Sequence, residues 1–480
     1  MRIVLHDAAL WSQASHLVGI AGGSHRIAIL RSLYMSESTS IVSKTNLWPK
    51  PAVAWWGVTV LVFAFIFSIA DRIIISLLVD PIKADLNLSE TDMGLLMGLY
   101  FALFYALMGL PIGRMVDKYS RRAIVGSGIF LWSVMTALCG LSRSFIELFL
   151  ARAGVGLGQA TLSPSAYSMI ADSFPKEKLG RALGVYQAGA FLGVGLALMF
   201  GGLAIRFAAT ADDVSLPLLG TVAPWQLAFI VIGLPGIIVA ALMFTVKEPV
   251  RQGVKPVSGD EISVGQAISF GVKRWRVFLA HFTGFALLAL PMTTLATWVP
   301  AYLMRVVGMS PPETGFKLGL IVLIFSPIGV IAGGWLSDVL LKRGMNDAPL
   351  RVGVMAAIFM IPLSVLATTV KDPMWVLIIA CPFAFGASIT MGLAATALQL
   401  VTPNRLRGQI AAVWMLFLNL ITAGLGPTAV GIVTGMVFKD PMAVGLSVAS
   451  VNTISVVLGG LILFFSWKPY REAVALENES

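Results

Sequence analysis

The chain of 480 residues is 57% hydrophobic and 12% charged, with a mean hydropathy of +0.87. Ordinary soluble chains carry roughly a quarter charged residues, so this composition excludes a soluble enzyme and makes the bilayer the main solvent. The formal net charge of +10 suits either nucleic acid or anionic lipid, and the placement of the basic residues decides between them.

Residues 1–50 read as an N-terminal extension. Met1 to Tyr34 holds apolar runs too short to span, and Met35 opens a polar Ser, Glu and Thr stretch before Trp48. A cleaved signal peptide would want a continuous apolar h-region and a small-residue cleavage site, so none is expected here. The true start is expected at Met35.

From residue 51, apolar stretches of about 20 residues begin near Val53, Met93, Ala123, Phe145, Arg181, Pro224, Val277, Gly315, Arg351, Trp375, Gln409 and Met442. Twelve transmembrane helices are expected, and the lack of alternating ten-residue strands excludes a barrel. With the N-terminus inside, the cytoplasmic segments hold twenty Lys and Arg against seven in the outer loops and helix mouths. Basic loops stay in the cytoplasm. Both termini are therefore expected inside a plasma or inner membrane, the charge serves topology and anionic lipid, and no nucleic-acid partner is expected.

Within the first span, Asp71 and Arg72 interrupt an apolar run that extends from Val53 to Val79. Ionisable groups at membrane depth face a partner or a wet cavity, so the pair marks a functional site; a purely structural pair capping the outer end of the helix is the alternative. Asp71 lies fifteen residues above Trp56, about 22 Å up a core of roughly 30 Å. In the fourth span Arg152 lies seven residues below Phe145, about 10 Å from the outer face, which is nearly the same layer. Gln159 is seven further on and shares the face of Arg152. Arg152 needs an anion from protein or substrate, and Tyr186 and Gln187 in the fifth span are expected to line the same cavity.

In the second half the deep polar residues include Thr293, Thr294, Trp298, Ser326, Ser388, Asn419 and Asn452, with no buried carboxylate, lysine or arginine. A cavity charged on one wall and neutral on the other suits an amphipathic anion, its head expected at Arg152 and its tail against the second half. Trp298 is the expected lining residue on the neutral side.

The chain repeats itself. Gly113-Arg114-Met115-Val116-Asp117 with Arg121-Arg122 returns as Gly334-Trp335-Leu336-Ser337-Asp338 with Lys342-Arg343, shifted by 221 residues, and Pro175 and Gly180 return as Pro403 and Gly408, shifted by 228. Two parallel six-helix halves follow, residues 51–246 and 277–468. Residues 247–276 form a cytoplasmic linker whose Ile262–Trp275 segment is amphipathic and expected to lie along the membrane; residues 469–480 are a cytoplasmic tail.

Enzymatic chemistry lacks support. Cys139 and Cys381 sit in apolar spans and form no disulfide framework, and the four histidines form no metal cluster, so neither a metal nor a cofactor is expected. Without a Gly-Lys dipeptide there is no phosphate-cradling loop for ATP, and the commoner hydrolase motifs are missing.

Gly113 to Arg122 resembles the loop motif of the major facilitator superfamily, and the weaker copy from Gly334 to Arg343 falls where that fold repeats it. The resemblance covers nearly everything after Lys50 and implies an all-α membrane protein of twelve helices, not an enzyme, that moves a solute by alternating access. It also implies a gate in which Gly113, Asp117, Arg121, Arg122, Gly334, Asp338 and Arg343 take part, with Asp117 meeting the start of the eleventh helix. More narrowly, Asp71-Arg72 together with Ala151 to Ala160 resembles the spinster family of lipid-handling facilitators and, more distantly, the anion-cation symporters. Both carry a glutamate where this chain has Gln159. The expected substrate is an amphipathic, lysolipid-like organic anion, with proton coupling through Asp71. Alternatives are a small organic-acid symporter and, from another class, a non-transporting receptor or scaffold.

Overall fold

The computed structural model describes residues 48–210, 214–216, 220–251, 264–403 and 406–478. The expected start at Met35 and residues 252–263 of the linker lie outside the described residues.

Among these residues eleven helices are long and apolar enough to cross a membrane. In the first half they are Pro51–Leu77, Glu90–Lys118, Arg121–Cys139, Lys178–Phe207 and Pro224–Met243. In the second they are Trp275–Thr297, Pro311–Lys342, Ala348–Leu366, Pro373–Leu400, Gln409–Phe438 and Pro441–Phe465. The remaining expected crossing, the fourth, is cut into Phe145–Gln159 and Leu162–Ala171. Pro164 explains the cut, because its ring clashes with the carbonyl four residues back, that of Ala160. Gly154, Gly156 and Gly158 weaken the preceding turns, and Thr161 Oγ1 donates to Gly158 O at 2.8 Å. Counted as one crossing, the pair completes twelve spans in two halves of six.

Smaller elements lie outside the spans. A short helix, Val79–Leu86, follows the first. A small hairpin pairs Val214–Leu216 with Gly220–Val222 in antiparallel register between the fifth and sixth, the departure from all-α among the described residues. The linker carries a helix at Val264–Lys273, inside the expected amphipathic segment. The tail is the helix Trp467–Asn478, clamped to the second half by Tyr470 Oη donating to Ala397 O at 2.8 Å and by an Arg274–Glu477 ion pair at 2.5 Å. Ile331, Trp335 and Phe465 are exposed, as lipid-facing positions should be.

Close approach of backbones holds the halves together at one end only. A Cβ on Gly319 would lie 2.5 Å from Gly195 O, bringing the eighth span onto the fifth, and one on Gly431 would lie 2.6 Å from Glu90 O, bringing the eleventh onto the second. Side chains this small allow backbone contact where lipid gives no hydrophobic drive. These contacts lie away from the loops that carry Arg121, Arg122, Lys342 and Arg343. At the basic end a Cβ on Gly113 or Gly334 would meet nothing within 4 Å. Among the described residues no hydrogen bond or ion pair joins the halves there.

Candidate functional site

The first span is α-helical from Pro51 to Ile73 and continues as a 3₁₀ turn over Ile74–Leu77. Such a change of bonding pattern leaves carbonyls of the last α turn wanting donors. The fourth span supplies donors from one face, two at this end and one a turn earlier at Ser68. Arg152 Nη1 donates to Asp71 O at 2.9 Å and Nη2 to Arg72 O at 3.5 Å, while Gln159 Nε2 donates to Ser68 O at 2.9 Å. Gln159 Oε1 in turn accepts from Arg72 Nη2 at 3.1 Å. Asp71, Arg72, Arg152 and Gln159 thus form one cluster.

Its charges are unequally committed. Arg152 is fully buried and its terminal nitrogens are spent on two carbonyls. The Arg72 guanidinium is half-buried and lies 4.4 Å from the Phe101 ring centroid and 5.7 Å from that of Tyr105, a cation–π setting that orients it. It makes one hydrogen bond among the described residues, so donors are left for an anion. The Asp71 carboxylate is buried; among the described residues it makes no ion pair, with the Arg152 guanidinium and the Thr136 hydroxyl as polar neighbours. A buried carboxylate in that setting is costly unless it exchanges a proton or meets a cation. Phe101 was not legible as a site residue, since a lone aromatic on a membrane helix reads as packing.

Tyr186 is buried, stacked on Phe65 with ring centroids 5.0 Å apart and edge-on to Tyr167 at 5.7 Å. Its neighbour Gln187 is exposed. Trp298 is placed elsewhere: its Nε1 donates to Pro427 O at 2.9 Å between the seventh and eleventh spans, and no described contact ties it to the Asp71 cluster. Some of the other deep polar groups of the second half are likewise used internally, while Asn452 Nδ2 has no hydrogen-bond partner among the described residues. Thr294 Oγ1 donates to Asn452 Oδ1 at 2.7 Å, and Ser326 and Ser388 approach the Met292 sulfur at 3.9 and 3.8 Å.

The loop motif does not make the pairing expected of it. Asp117 is exposed, and its backbone oxygen, not its carboxylate, accepts from Arg251. Arg121 is buried in its own half, paired with Asp172 and Glu248 and donating to Pro249 O at 2.7 Å. Arg122 reaches Val246 O at 3.3 Å. Glu248 caps the third span, accepting from the Arg122 amide at 2.9 Å, the Arg121 amide at 3.2 Å and Ser120 Oγ at 2.8 Å. Burial pushes the Glu248 carboxyl up, but these hydrogen bonds outweigh it and hold the group below the usual carboxylate range. In the second copy, Asp338 and Arg343 are exposed, and the anionic node is instead buried Asp347, which takes Arg351 at 2.8 Å.

A second ionic cluster closes the opposite end. Arg305, just past the seventh span, pairs with Asp80 at 2.7 Å and Glu90 at 3.0 Å, both in the first half, and donates to Pro441 O at 3.2 Å. Lys83 also pairs with Glu90. Lys83 and Arg305 are two of the seven basic residues counted at the outer loops and helix mouths, and nothing along the chain signals their partners. Among the described residues no group of three or more His, Cys, Asp or Glu is arranged to hold a metal.

The sequence profile of the Major Facilitator Superfamily matches residues 60–427. An MFS-type efflux pump of Mycolicibacterium smegmatis is 30% identical over 432 residues, covering 89% of this chain and 96% of that protein. A D-galactonate transporter of Escherichia coli is 25% identical over 446 residues, covering 85% of this chain and 96% of that protein. The crystal structure of a bacterial homologue of the human lysosomal transporter spinster, inward-facing and unoccupied, superposes with a TM-score of 0.73 at 25% identity, covering 90% of this chain and 99% of that one. With this match over most of its length, the chain belongs to the Major Facilitator Superfamily and is a spinster-like membrane transporter, not an enzyme.

Proposed function

We propose that the protein is a secondary transporter of the plasma or inner membrane that moves an organic anion by alternating access, with both termini cytoplasmic. The sorting of Lys and Arg to one end supports that orientation. On this orientation the described state is open to the cytoplasm, because among the described residues the close backbone approaches and ion pairs between the halves lie at the far end.

The observation that carries the substrate assignment is the Arg72–Gln159 pair. The sequence points to Arg152 for the anionic head, but its terminal nitrogens donate to first-span carbonyls; Arg72 is the cation with donors to spare, so it receives the head, and Arg152 positions the first span. Tyr186 and Gln187 extend the same wall. The second half brings no charged side chain to this cluster among the described residues, and Thr294, Ser388 and Asn419 spend hydrogen bonds within their own half, which favours an amphipathic, lysolipid-like anion with its tail on that side. Likeness to a D-galactonate transporter favours a small organic acid as the second reading. Asp71 is the group in this cluster able to carry a proton, because an amide at position 159 cannot.

Flux into proteoliposomes separates the readings. Uptake of a lysophospholipid anion over galactonate supports the first and the reverse supports the second. Ligand binding with no flux of either would overturn transport itself.

A further inference from the structure

The second span is broken once. It is helical over Glu90–Met97, departs from helical geometry at Gly98 (φ −115°, ψ −96°) and resumes over Leu99–Lys118. In an unbroken helix the Leu99 N–H would bond to the carbonyl of Leu95, four residues back. It donates instead to Thr428 Oγ1 at 3.1 Å, a hydroxyl of the eleventh span in the opposite half. That hydroxyl lies 2.8 Å from Gly424 O and 3.2 Å from Gly94 O, so its own proton also stitches the two spans.

The contact leaves no room for a larger residue. A Cβ on Gly98 would come within 2.5 Å of Gly424 O and 2.7 Å of Thr428 Oγ1. The eleventh span is irregular at the same level, with π-type turns at Leu420–Leu425 and Val433–Phe438 on either side of Gly426–Ile432. Insertions of this kind mark places where a helix changes shape in function.

A backbone N–H at membrane depth must have an acceptor. When the outer end opens and the eleventh span withdraws, the Leu99 amide loses Thr428. It regains the Leu95 carbonyl if the helix straightens at Gly98, a residue for which both conformations are accessible. We propose that Gly98–Leu99 is a hinge held bent by the Thr428 hydroxyl, so that the second span is bent while the outer mouth is closed and straight while it is open. This rests on the alternating-access reading above.

Nitroxide labels on Ala84→Cys and Met442→Cys, one in each half at the outer mouth, report opening by pulsed electron resonance in a Cys381→Ser background. Wild type should show a closed and an open distance. Thr428→Val should raise the open-to-closed ratio about five-fold, the effect of one hydrogen bond, Thr428→Ser should restore it, and Gly98→Ala should act like Thr428→Val. Hydrogen exchange at the Leu99 amide should stay slow in the variants biased open, because the helix takes the amide back. An unchanged ratio in Thr428→Val, or fast exchange at Leu99 in the open state, would overturn the hinge while leaving alternating access intact. A single distance in wild type under all conditions would remove alternating access, and the hinge with it.

Discussion

Arg72 donates to the side-chain oxygen of Gln159 at 3.1 Å, across 87 positions of the chain. Restoring a carboxylate there turns a neutral acceptor into an ionic one, and charge-assisted bonds are roughly twice as strong. Gln159→Glu should therefore tie Arg72 down and weaken binding of the anion, about tenfold near neutral pH. Acidification should recover the affinity as the new carboxyl is protonated. Equilibrium binding across pH 5–8 measures this, and an unaltered, flat profile would count against Arg72 as the anion receptor.

The two arginines should fail differently when removed. Arg72→Ala should cost about 1.5–3 kcal/mol of anion affinity, the usual worth of a hydrogen bond to a charge, with little change in thermal stability. Arg72→Lys should rescue part of it, since a point ammonium cannot reproduce a planar fork. Arg152→Ala uncaps two buried carbonyls and should lower stability by about 1–3 kcal/mol. Binding and thermal unfolding measured on the same detergent-purified samples separate the roles, and equal stability losses in the two alanine variants would merge them.

For energy coupling, Asp71→Asn should abolish accumulation driven by a pH gradient while exchange of substrate down its own gradient survives. The carboxylate makes no ion pair among the described residues, so the amide keeps its shape and removes the titrating group. Proton-driven accumulation that persists in this variant would place the carrier elsewhere, and a wild type indifferent to pH would favour facilitated diffusion.

What the sequence made legible has a common cause. Asp71, Arg72 and Arg152 stand out because a charge in an apolar run needs no knowledge of its neighbours to be noticed. The same holds for the repeated loop motif, whose spacing lies along the chain. The break at Ala160–Thr161 was readable in principle from Pro164. Trp298 was misplaced because depth along a helix says nothing of the direction a side chain takes. The partners of Arg305 and Thr428 were not readable at all, lying 225 and 329 positions away. Arg121 was expected in the gate, yet its bond to Glu248 spans 127 residues and ties the first half to the linker that leaves it.

The two ends should respond in opposite senses. Arg305→Gln removes the cation that Asp80 and Glu90 share and should raise the fraction open to the outside. Asp117→Asn touches no side-chain contact in the described state, so it should leave that state unharmed and weaken only the one in which the basic end closes. Thiol labelling from each side of sealed vesicles reads the populations, and transport should fall in Asp117→Asn with expression intact. Full activity in proteoliposomes would end the gate assignment for Asp117.

Glu248 gives a pH dependence with a definite sign. Its carboxyl is held below its ordinary value of about 4.5 by the amides of Arg121 and Arg122 and by the Arg121 side chain, against the opposing effect of burial. A group depressed on folding adds stability that is fully present above the unfolded value and is lost as pH falls through the folded one. Thermal stability of the purified protein should therefore fall on acidification below about pH 4.5. Glu248→Gln keeps one acceptor for the third-span amides but cannot titrate. It should be less stable than wild type at neutral pH, and the gap should close as the pH drops. A gap that stays constant down to acid pH would show that the ionised carboxylate contributes nothing at this junction.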